Sequence, residues 1–511
     1  MIELSINSTS YLKTATLYNL VTSKTAGISL SQDAQQRVHA AHALLLEKIT
    51  AGDWIYGYSS GFGPLAAERS KQEDNSLHQK NLLYHLATGQ GEALSRVESK
   101  AVLALRIRQL ALGYSGISLE TLLTIIKIFN AGFIAVIPSL GSVGASGDLT
   151  PLAHLALSLS VEDQVFDGDK EITAAAWFEL KGLKPLHWKE REALAFVNGT
   201  ACMTALAALN FEQAKKAFSL SLKQTFIYGE MLGAYREAWH PLLAQSRPHP
   251  GQKMVSETLY NWSLNSEYFI PKEQFEGRGD FDEKLPQDPY SIRCAPQLLG
   301  AVQDDFEALE KAINIEINSA SDNPTIFTTE ERIIHGGNFN GQHIAFASDK
   351  LNEKLVYLSV YSEKRISKIC NPKYSHGLSA FLKSEPSGIN SGFMGAQVTA
   401  TALMVELKLA AKSVSIETMS TNGDNQDMVS LGTLSAWRGS EMMSKVFAIL
   451  AIEAMVLTEA IAQRQKKIER KLSSTSLDFY KNMRTVFPAL EKDRPLAQEI
   501  TVLAKYLASQ P

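Results

Sequence analysis

The glycine-rich run GSVGASGD at residues 141–148 holds the residues with the most specific chemical potential in this chain. A backbone amide nitrogen can attack the carbonyl two residues earlier if the chain bends tightly, and Gly147 has no Cβ to obstruct that bend. Ser146 can lose its hydroxyl, and Ala145 supplies a small flanking side chain. Ring closure with loss of two waters would turn Ala145, Ser146 and Gly147 into a methylidene-imidazolone, a strong electrophile made without an external cofactor.

Other interpretations of the same run compete with ring formation. The simplest is a helix start, in which Asp148 or Thr150 caps the helix and Pro151 sits in its first turn. The glycines also resemble a phosphate-binding fingerprint, but no clear βαβ unit with a trailing acidic residue surrounds them. A serine-hydrolase elbow requires Gly-x-Ser-x-Gly, which is absent around Ser146. The run by itself leaves helix capping and ring formation open.

Two other segments carry side chains suited to proton transfer and carboxylate binding. Tyr56 opens the glycine-rich run YGYSSGFG, and Tyr290 and Arg293 lie three residues apart in QDPYSIRC. A tyrosine ordinarily loses its proton near pH ~10, so a tyrosine base needs hydrogen bonds or positive charge that stabilise the phenolate. A guanidinium presents parallel N–H donors that suit a carboxylate. In isolation, each would be an ordinary turn tyrosine or surface arginine.

The sequence resembles the aromatic amino-acid ammonia-lyase family, which comprises histidine, phenylalanine and tyrosine ammonia-lyases. GSVGASGDLTPLAHLAL resembles the segment that forms this family's methylidene-imidazolone cofactor, and the run that begins at Tyr56 resembles its N-terminal tyrosine loop. The similarity covers roughly residues 30–465 and is strongest to bacterial tyrosine ammonia-lyases. Further matching segments follow in the family's order: FVNGTACMTALAAL, QDPYSIRCAPQLLG, SASDNPTIF, GGNFNGQHIA, GINSGFMGAQVTATALMVE and NGDNQDMVSLGT.

The resemblance implies a role for each matched residue in eliminating ammonia from an aromatic L-amino acid. Tyr56 would remove the β-proton, and Arg293 would hold the substrate carboxylate. Tyr290 and Asn198 would orient the electrophile and polarise its ring oxygen. Two more residues are expected to line the site: Gln287 and Phe339.

Two positions discriminate substrates in this family: the first favours tyrosine, and hence 4-coumarate as the product, and both argue against histidine. His85 and Leu86 fall where tyrosine lyases carry a histidine for the phenol oxygen, phenylalanine lyases an apolar aromatic and histidine lyases a Ser-His pair. At Asn425-Gln426, the amide of Gln426 replaces the glutamate typical of histidine lyases. A buried phenol without a partner costs ~1–3 kcal/mol, so the histidine can discriminate between substrates.

Several alternatives stay open at this point. A phenylalanine ammonia-lyase or a tyrosine 2,3-aminomutase would use the same electrophile and the same residues. A histidine ammonia-lyase or an inactive scaffold fits the motifs less well. The sequence also departs from the family in two places: Asn340 replaces the usual histidine of GGNFNG, and Tyr58-Ser59-Ser60 places a bulky side chain near the base.

Long apolar stripes at three- and four-residue spacing predict the helices that position these segments. They cover residues 203–222, 298–318, 349–368, 396–413 and 440–463. We expect a mainly α fold, with a loop-rich, cofactor-bearing N-terminal part (1–200) and a long-helix bundle (201–511). Such stripes need partners, and the family resemblance implies a homotetramer with shared active sites.

Composition excludes several other classes of protein. The 511 residues are 45% hydrophobic and 20% charged with a net charge of −4, which gives no reason to expect nucleic-acid or membrane partners. Three widely spaced cysteines predict neither disulfides nor a zinc site, and His154, His335 and His343 lack metal-ligand spacing. With no apparent signal peptide, we expect a cytoplasmic enzyme that uses no metal and no external cofactor.

Overall fold

The computed structural model describes residues 2–7, 10–68, 75–271, 287–386 and 388–510. Eighteen α-helices lie within these ranges, with short 3₁₀ turns between some of them. The helices are α1 Thr14–Thr22, α2 Gln32–Thr50, α3 Asn75–Leu86, α4 Arg96–Leu110, α5 Leu119–Asn130, α6 Leu149–Leu159, α7 Ala174–Lys181, α8 Glu192–Val197, α9 Ala201–Met231, α10 Pro241–Gln245, α11 Pro250–Ser263, α12 Tyr290–Arg293, α13 Ala295–Ile317, α14 Gln342–Cys370, α15 Met394–Ala410, α16 Gly432–Lys467, α17 Ser474–Arg484 and α18 Ala497–Ser509.

Eight short strands form two-stranded sheets in the described part of the chain. β1 pairs with β2 in parallel, and the pairs β3–β4, β5–β6 and β7–β8 are antiparallel. The strands are β1 Ile2–Ile6, β2 Ala26–Leu30, β3 Gln90–Ala93, β4 Pro138–Leu140, β5 Gln164–Asp167, β6 Lys170–Thr173, β7 Thr325–Phe327 and β8 Arg332–Ile334.

The mainly α fold predicted from the sequence is confirmed. All five predicted long helices are present as α9, α13, α14, α15 and α16, with ends that differ by a few residues in most cases and by seven to nine at one end of α9, α14 and α16. The apolar stripes of α13 and α16 are buried: in α13, Leu299, Val302 and Phe306 are each at most 3% exposed. Most helix ends lie beyond the predicted stripes. The position of a helix end depends on how its unpaired backbone groups are capped, which apolar periodicity does not report.

One compact unit, made of residues 1–212, 310–350 and 413–440, contains the glycine-rich segments. In this unit, strand β4 ends directly before residues 141–148, and helix α6 begins directly after them. Ser95 starts α4 with a reciprocal capping box: the Ser95 hydroxyl accepts from the Glu98 amide, and the Glu98 carboxylate accepts from the Ser95 amide. Helices α5 and α7 likewise begin at local side-chain caps, from Ser118 and Thr173.

The second compact unit, made of residues 213–309, 351–412 and 441–511, has its own helical core. Within it, Glu453 of α16 accepts hydrogen bonds from Arg365 Nη2 at 2.7 Å and from the Ser362 hydroxyl at 2.5 Å. Both ionic side chains are almost fully buried. The sequence-based boundary between residues 200 and 201 stays a prediction, and both compact units combine three separate chain segments.

Candidate active site

Residues 141–148 form a sharply bent segment between β4 and α6. Ala145 and Gly147 pair with each other as an isolated β-bridge, and Gly147 has a φ of +72°, a conformation that favours glycine. The two paired residues have the two-residue separation that ring closure between the Gly147 nitrogen and the Ala145 carbonyl requires. The backbone therefore bends sharply between Ala145 and Gly147.

The Gly199 backbone and the Ser430 hydroxyl both lie close to this bend. A Cβ on Gly147 would lie 2.2 Å from the carbonyl oxygen of Gly199, and a Cβ on Gly144 would lie 2.3 Å from Ser430 Oγ. Neither position has room for a side chain. The surroundings therefore hold residues 144–147 in a compact conformation.

The buried carboxylate of Asp148 fixes the C-terminal end of this segment. Asp148 Oδ2 accepts from the backbone amides of Cys202 at 2.7 Å and Met203 at 3.0 Å, in the first turn of α9. Thr433 Oγ1 donates to Oδ1 at 2.5 Å. Burial raises the pKa of Asp148 to about 6, although these hydrogen bonds act in the opposite direction.

The helix-start interpretation of Asp148 is therefore only partly right. Asp148 occupies the N-cap position of α6 with Pro151 in the first turn, but its side chain makes no capping bond to α6. It caps α9 instead, where two unpaired amides and the positive end of the helix dipole attract a carboxylate. Thr150 Oγ1 donates to the Gly141 carbonyl at 3.4 Å.

Asn198 follows α8 and lies directly before the glycine that contacts Gly147. Its side chain is 2% exposed, and its Nδ2 donates to the Asn323 carbonyl at 3.1 Å. Its Oδ1 is buried without a hydrogen-bond partner among the described residues. Leaving a buried acceptor unpaired costs ~1–3 kcal/mol, so the Oδ1 of Asn198 has the capacity to accept one further hydrogen bond.

The backbone at Asn198 is held in place by the fully buried guanidinium of Arg106. Arg106 Nε donates to the Phe196 carbonyl at 2.8 Å, and Nη2 donates to the Asn198 carbonyl at 3.0 Å. Burial lowers the pKa of Arg106 to about 10, while the charges of Asp322 and Asp148 act to raise it. The side chain stays positive at neutral pH and occupies the carbonyls that end α8.

The Tyr56 loop presents its phenol oxygen to a backbone donor. The Gly63 amide donates to Tyr56 Oη at 2.8 Å, a contact that a phenolate accepts more strongly than a phenol. Gly57 has a φ of +76°, and a Cβ there would lie 2.1 Å from Leu194 Cδ2. The Gly57 carbonyl accepts from the buried Gln79 side chain at 3.0 Å. These contacts attach the loop to α8 and α3.

Phe62 connects Tyr56 with His85, a contact that the sequence analysis missed. The Phe62 ring lies edge-on to Tyr56 with 6.3 Å between centroids, and its centroid is 6.4 Å from that of His85. His85 Nδ1 lies 3.1 Å from the Asn81 carbonyl. Because a carbonyl only accepts, Nδ1–H is the donor in this contact, and a neutral ring with that tautomer has its acceptor at Nε2. Leu86 follows, half-buried.

A family model for aromatic amino acid lyases matches residues 12–485. The chain belongs to the aromatic amino acid lyase family. Its members are carbon–nitrogen lyases, so the family resemblance and the enzyme class inferred from the sequence are confirmed. The match includes every segment described above.

Similar proteins in this lyase family act on different aromatic amino acids. The chain is 38% identical to the tyrosine ammonia-lyase of Cereibacter sphaeroides over 498 residues, which cover 96% of this chain and 95% of the relative. It is 36% identical to the histidine ammonia-lyase of Myxococcus xanthus over 486 residues, 95% of this chain and 93% of the relative. Among solved structures, the phenylalanine aminomutase of Pantoea agglomerans matches with a TM-score of 0.94 at 28% identity, covering 100% of this chain and 99% of that one.

The carboxylate-binding segment expected of a lyase lies in the second compact unit. Arg293 places its guanidinium over the Tyr290 ring, 4.7 Å from the centroid, and its Nε is buried without a hydrogen-bond partner in the described chain. Tyr290 is 68% exposed, and Gln287 is exposed beside it. Asp288 anchors the segment by accepting from the Tyr235 amide at 2.7 Å.

The two departures from the lyase pattern have local structural roles. Asn340 Oδ1 accepts from the Gln342 amide at 3.0 Å, so it caps the start of α14 beside the half-buried Phe339. Tyr58 packs against a core cluster of five buried residues, and burial followed by the charge of Glu190 raises its pKa. Tyr58 therefore helps to anchor the loop, and its effect on the neighbouring base stays a prediction. The five cluster residues are Ala41, Leu44, Leu45, Ile55 and Ile326.

The lyase residues at 425–426 lie in a tight turn. Gln426 Oε1 accepts from Thr421 Oγ1 at 2.9 Å and from Asn422 Nδ2 at 2.8 Å. Because its oxygen is engaged in the turn, the half-buried Gln426 presents amide N–H donors, and Asn425 is exposed next to it. Neither residue contacts Tyr56 or His85 in the described structure.

The structure thus brings the lyase residues together in groups. Tyr56 and His85 both lie next to the Phe62 ring, and Gly147 pairs with Gly199, the neighbour of Asn198. His154 contacts Asp163 through Nδ1 at 2.7 Å and accepts from the Gly89 amide at Nε2, as expected of a structural histidine. Within the described ranges, no group of three or more His, Cys, Asp or Glu side chains could hold a metal ion.

Proposed function

We propose that this lyase converts L-tyrosine to 4-coumarate and ammonia. The observation that carries the substrate assignment is the position of His85, whose Nδ1 lies at the Asn81 carbonyl and whose ring shares the Phe62 contact with Tyr56, so that Nε2 can accept in the neutral tautomer. A phenol hydroxyl can donate to that nitrogen, whereas phenylalanine would leave it unpaired. Incubating the enzyme with tyrosine, phenylalanine and histidine, and following the three acrylate products, tests the assignment.

We propose that Ala145, Ser146 and Gly147 cyclise to the 4-methylidene-imidazol-5-one cofactor, with no metal or external cofactor. The bend at Gly147 and the unpaired amide oxygen of Asn198 fit such a ring. The ring supplies an electrophile that makes the substrate amine a better leaving group. A peptide spanning residues 145–147 should be lighter by two waters than its sequence requires.

The remaining residues bind and orient the substrate or move its proton. Tyr56, with its oxygen supported by the Gly63 amide, accepts the β-proton. Arg293 holds the carboxylate with its guanidinium, and Tyr290 and Asn198 orient the reacting groups. The other proposed substrate contacts come from His85, Leu86, Gln287, Phe339, Asn425 and Gln426.

Replacing His85 by phenylalanine should shift the substrate preference toward phenylalanine. His85 is exposed in the described chain, and a bound substrate would cover it. Losing the hydrogen bond that this substrate buries costs ~1–3 kcal/mol, so the tyrosine-to-phenylalanine ratio of kcat/KM should fall roughly ten- to a hundredfold. Measuring kcat/KM for both substrates checks this result. Tyr84→Phe is the matched control, because Tyr84 precedes His85 on α3 but contacts Glu162. An unchanged ratio in His85→Phe would make His85 structural and phenylalanine an equal candidate.

An aminomutase is the second candidate, and the structural comparisons favour it over an inactive scaffold. The chain superposes on the phenylalanine aminomutase of Pantoea agglomerans and on the tyrosine aminomutase of Streptomyces globisporus, the latter with a TM-score of 0.92 at 29% identity. A mutase re-adds ammonia to the acrylate and yields a β-amino acid. Mass and chromatographic analysis of the product from tyrosine separates the two activities.

A homotetramer with active sites shared among subunits is the assembly we propose. Helix α15 exposes Met394, Val398, Val405 and Leu409 at four- and seven-residue spacing, which is one helix face. An exposed apolar face of this kind marks a protein interface. Light scattering at micromolar concentration should give the mass of four chains.

Charge introduced on that face should weaken the tetramer. Val398→Glu should lower the scattering mass and the activity together, because each site needs neighbouring subunits. Leu180→Glu is the control, since Leu180 is 66% exposed on α7 outside the face. A parent chain that scatters as a monomer would contradict the assembly.

We place this enzyme in the cytoplasm. Helix α16 is long and apolar enough to cross a membrane by composition, but 83% of its most apolar window is buried inside the protein. That burial is typical of a core helix. Cell fractionation tests the location.

A further inference from the structure

His335 contacts the Tyr56 loop from a distant part of the chain. The Tyr56 backbone N–H donates to His335 Nε2 at 3.3 Å across 279 residues of sequence. The Trp54 ring lies on the imidazole with 4.9 Å between centroids and 42° between planes. His335 therefore contacts the residues on both sides of Ile55, whose side chain is in the core.

The segment that carries His335 is also connected to Asn198. The Gly336 amide donates to Asn323 Oδ1 at 2.8 Å, and the Asn323 carbonyl accepts from Asn198 Nδ2 at 3.1 Å. Three hydrogen bonds, joined through Asn323 and through the backbone from Gly336 to His335, therefore connect Asn198, beside the ring-forming segment, with the backbone of Tyr56. His335 makes the last of these three bonds.

We propose that His335 is a positioning residue, whose neutral Nε2 holds the Tyr56 loop at a fixed distance from the ring-forming segment. The proposal rests on the proposed role of Tyr56 as the base. It follows that protonation of His335, which turns Nε2 from an acceptor into a donor, releases the loop and lowers activity at acid pH. A displacement of ~1 Å in a reacting group can cost on the order of a hundredfold in rate.

The surroundings of His335 keep the imidazole neutral near pH 7. Burial and then the positive charge of Arg191 lower the pKa of His335, and Arg191 is itself paired with Asp322 at 3.2 Å. The ring also borders a cavity of about 420 Å³ through which protons can reach it. The other charged or titratable groups around it are Lys48 of α2, Asp53 and Tyr56 of the loop, and Glu331 and Arg332 of the β7–β8 hairpin.

Two substitutions of His335 separate positioning from bulk packing. Leucine fills the space but cannot accept a hydrogen bond, whereas the amide oxygen of glutamine can accept near the position of Nε2. His335→Leu should lower kcat about ten- to a hundredfold, with KM and cofactor absorbance close to the parent. His335→Gln should have most of the parental kcat at neutral pH. Its kcat should not show the fall at acid pH that the parent shows when His335 becomes protonated.

The contrary results are equally specific. Parental kcat and a parental acid limb in His335→Leu would overturn the proposal, as would an equal loss in the leucine and glutamine variants. These tests require that the parent enzyme shows the cofactor absorbance and forms an acrylate product. A parent lacking either contradicts the proposed function, and full activity of Tyr56→Phe contradicts the role of Tyr56; both results are independent of His335.

A titration of the parent supplies a test that needs no folded His335 variant. A protonated imidazole quenches the fluorescence of a tryptophan on which it packs. The chain has six tryptophans, and the fluorescence difference between the parent and Trp54→Phe isolates the signal of Trp54 from that of the other five. Quenching should set in below the ordinary pKa of histidine and coincide with the fall in kcat. Fluorescence that does not change over the acid limb would overturn the proposal.

Discussion

Replacing Ser146 by alanine is expected to abolish both the near-ultraviolet absorbance of the cofactor and the lyase activity. Alanine has no hydroxyl to eliminate, so the exocyclic methylidene cannot form even if the backbone bends as before. Enzymes lower barriers by ~8–23 kcal/mol, and the electrophile divides this elimination into easier steps. We expect kcat/KM to fall by at least ~10³-fold.

Absorbance beyond the tryptophan band, peptide mass and kcat/KM measure this result together. Ser160→Ala is the matched control, because Ser160 caps the other end of α6 and its hydroxyl donates only to the Ala156 carbonyl among the described contacts. The control should keep both signals. Full activity in Ser146→Ala would remove the self-made electrophile from the mechanism.

Replacing Tyr56 by phenylalanine is expected to lower kcat while leaving the cofactor intact. The substitution removes the oxygen to which the Gly63 amide donates at 2.8 Å, and with it the proposed acceptor of the β-proton. General bases typically contribute ~10²–10⁴-fold, so kcat should fall within that range. Absorbance should stay at the parental level, because Tyr56 lies outside residues 145–147.

Tyr58→Phe makes the same chemical change two residues along the same loop and serves as its control. Tyr58 packs against the core cluster that includes Leu45 and Ile55, so its hydroxyl has no place in the proposed chemistry. We expect nearly parental kcat for Tyr58→Phe, with loop anchoring preserved by the ring. Equal losses in the two variants would assign Tyr56 a structural role instead.

The sequence was sufficient to predict the helical fold, the family and the residues with specific chemistry. Apolar residues repeat at helical spacing over several turns in α9, α13 and α16. This spacing predicts that one face of each helix is buried, even when the elements that cover it are unknown. The tripeptide and the tyrosine loop are contiguous motifs, and the geometry of each depends on glycines inside the motif itself. For the same reason, the bend at Gly147 follows from residue type within a few positions.

Contacts across long stretches of sequence could only be obtained from the tertiary structure. Asp148 caps α9, which begins 53 residues later, instead of the helix that follows it. His335 reaches Tyr56 across 279 residues, and Tyr58 packs against a core cluster that includes Ile326. Periodicity and capping rules describe neighbours within about one or two helical turns. They do not say which distant amide a buried carboxylate will meet, because that depends on how the helices pack.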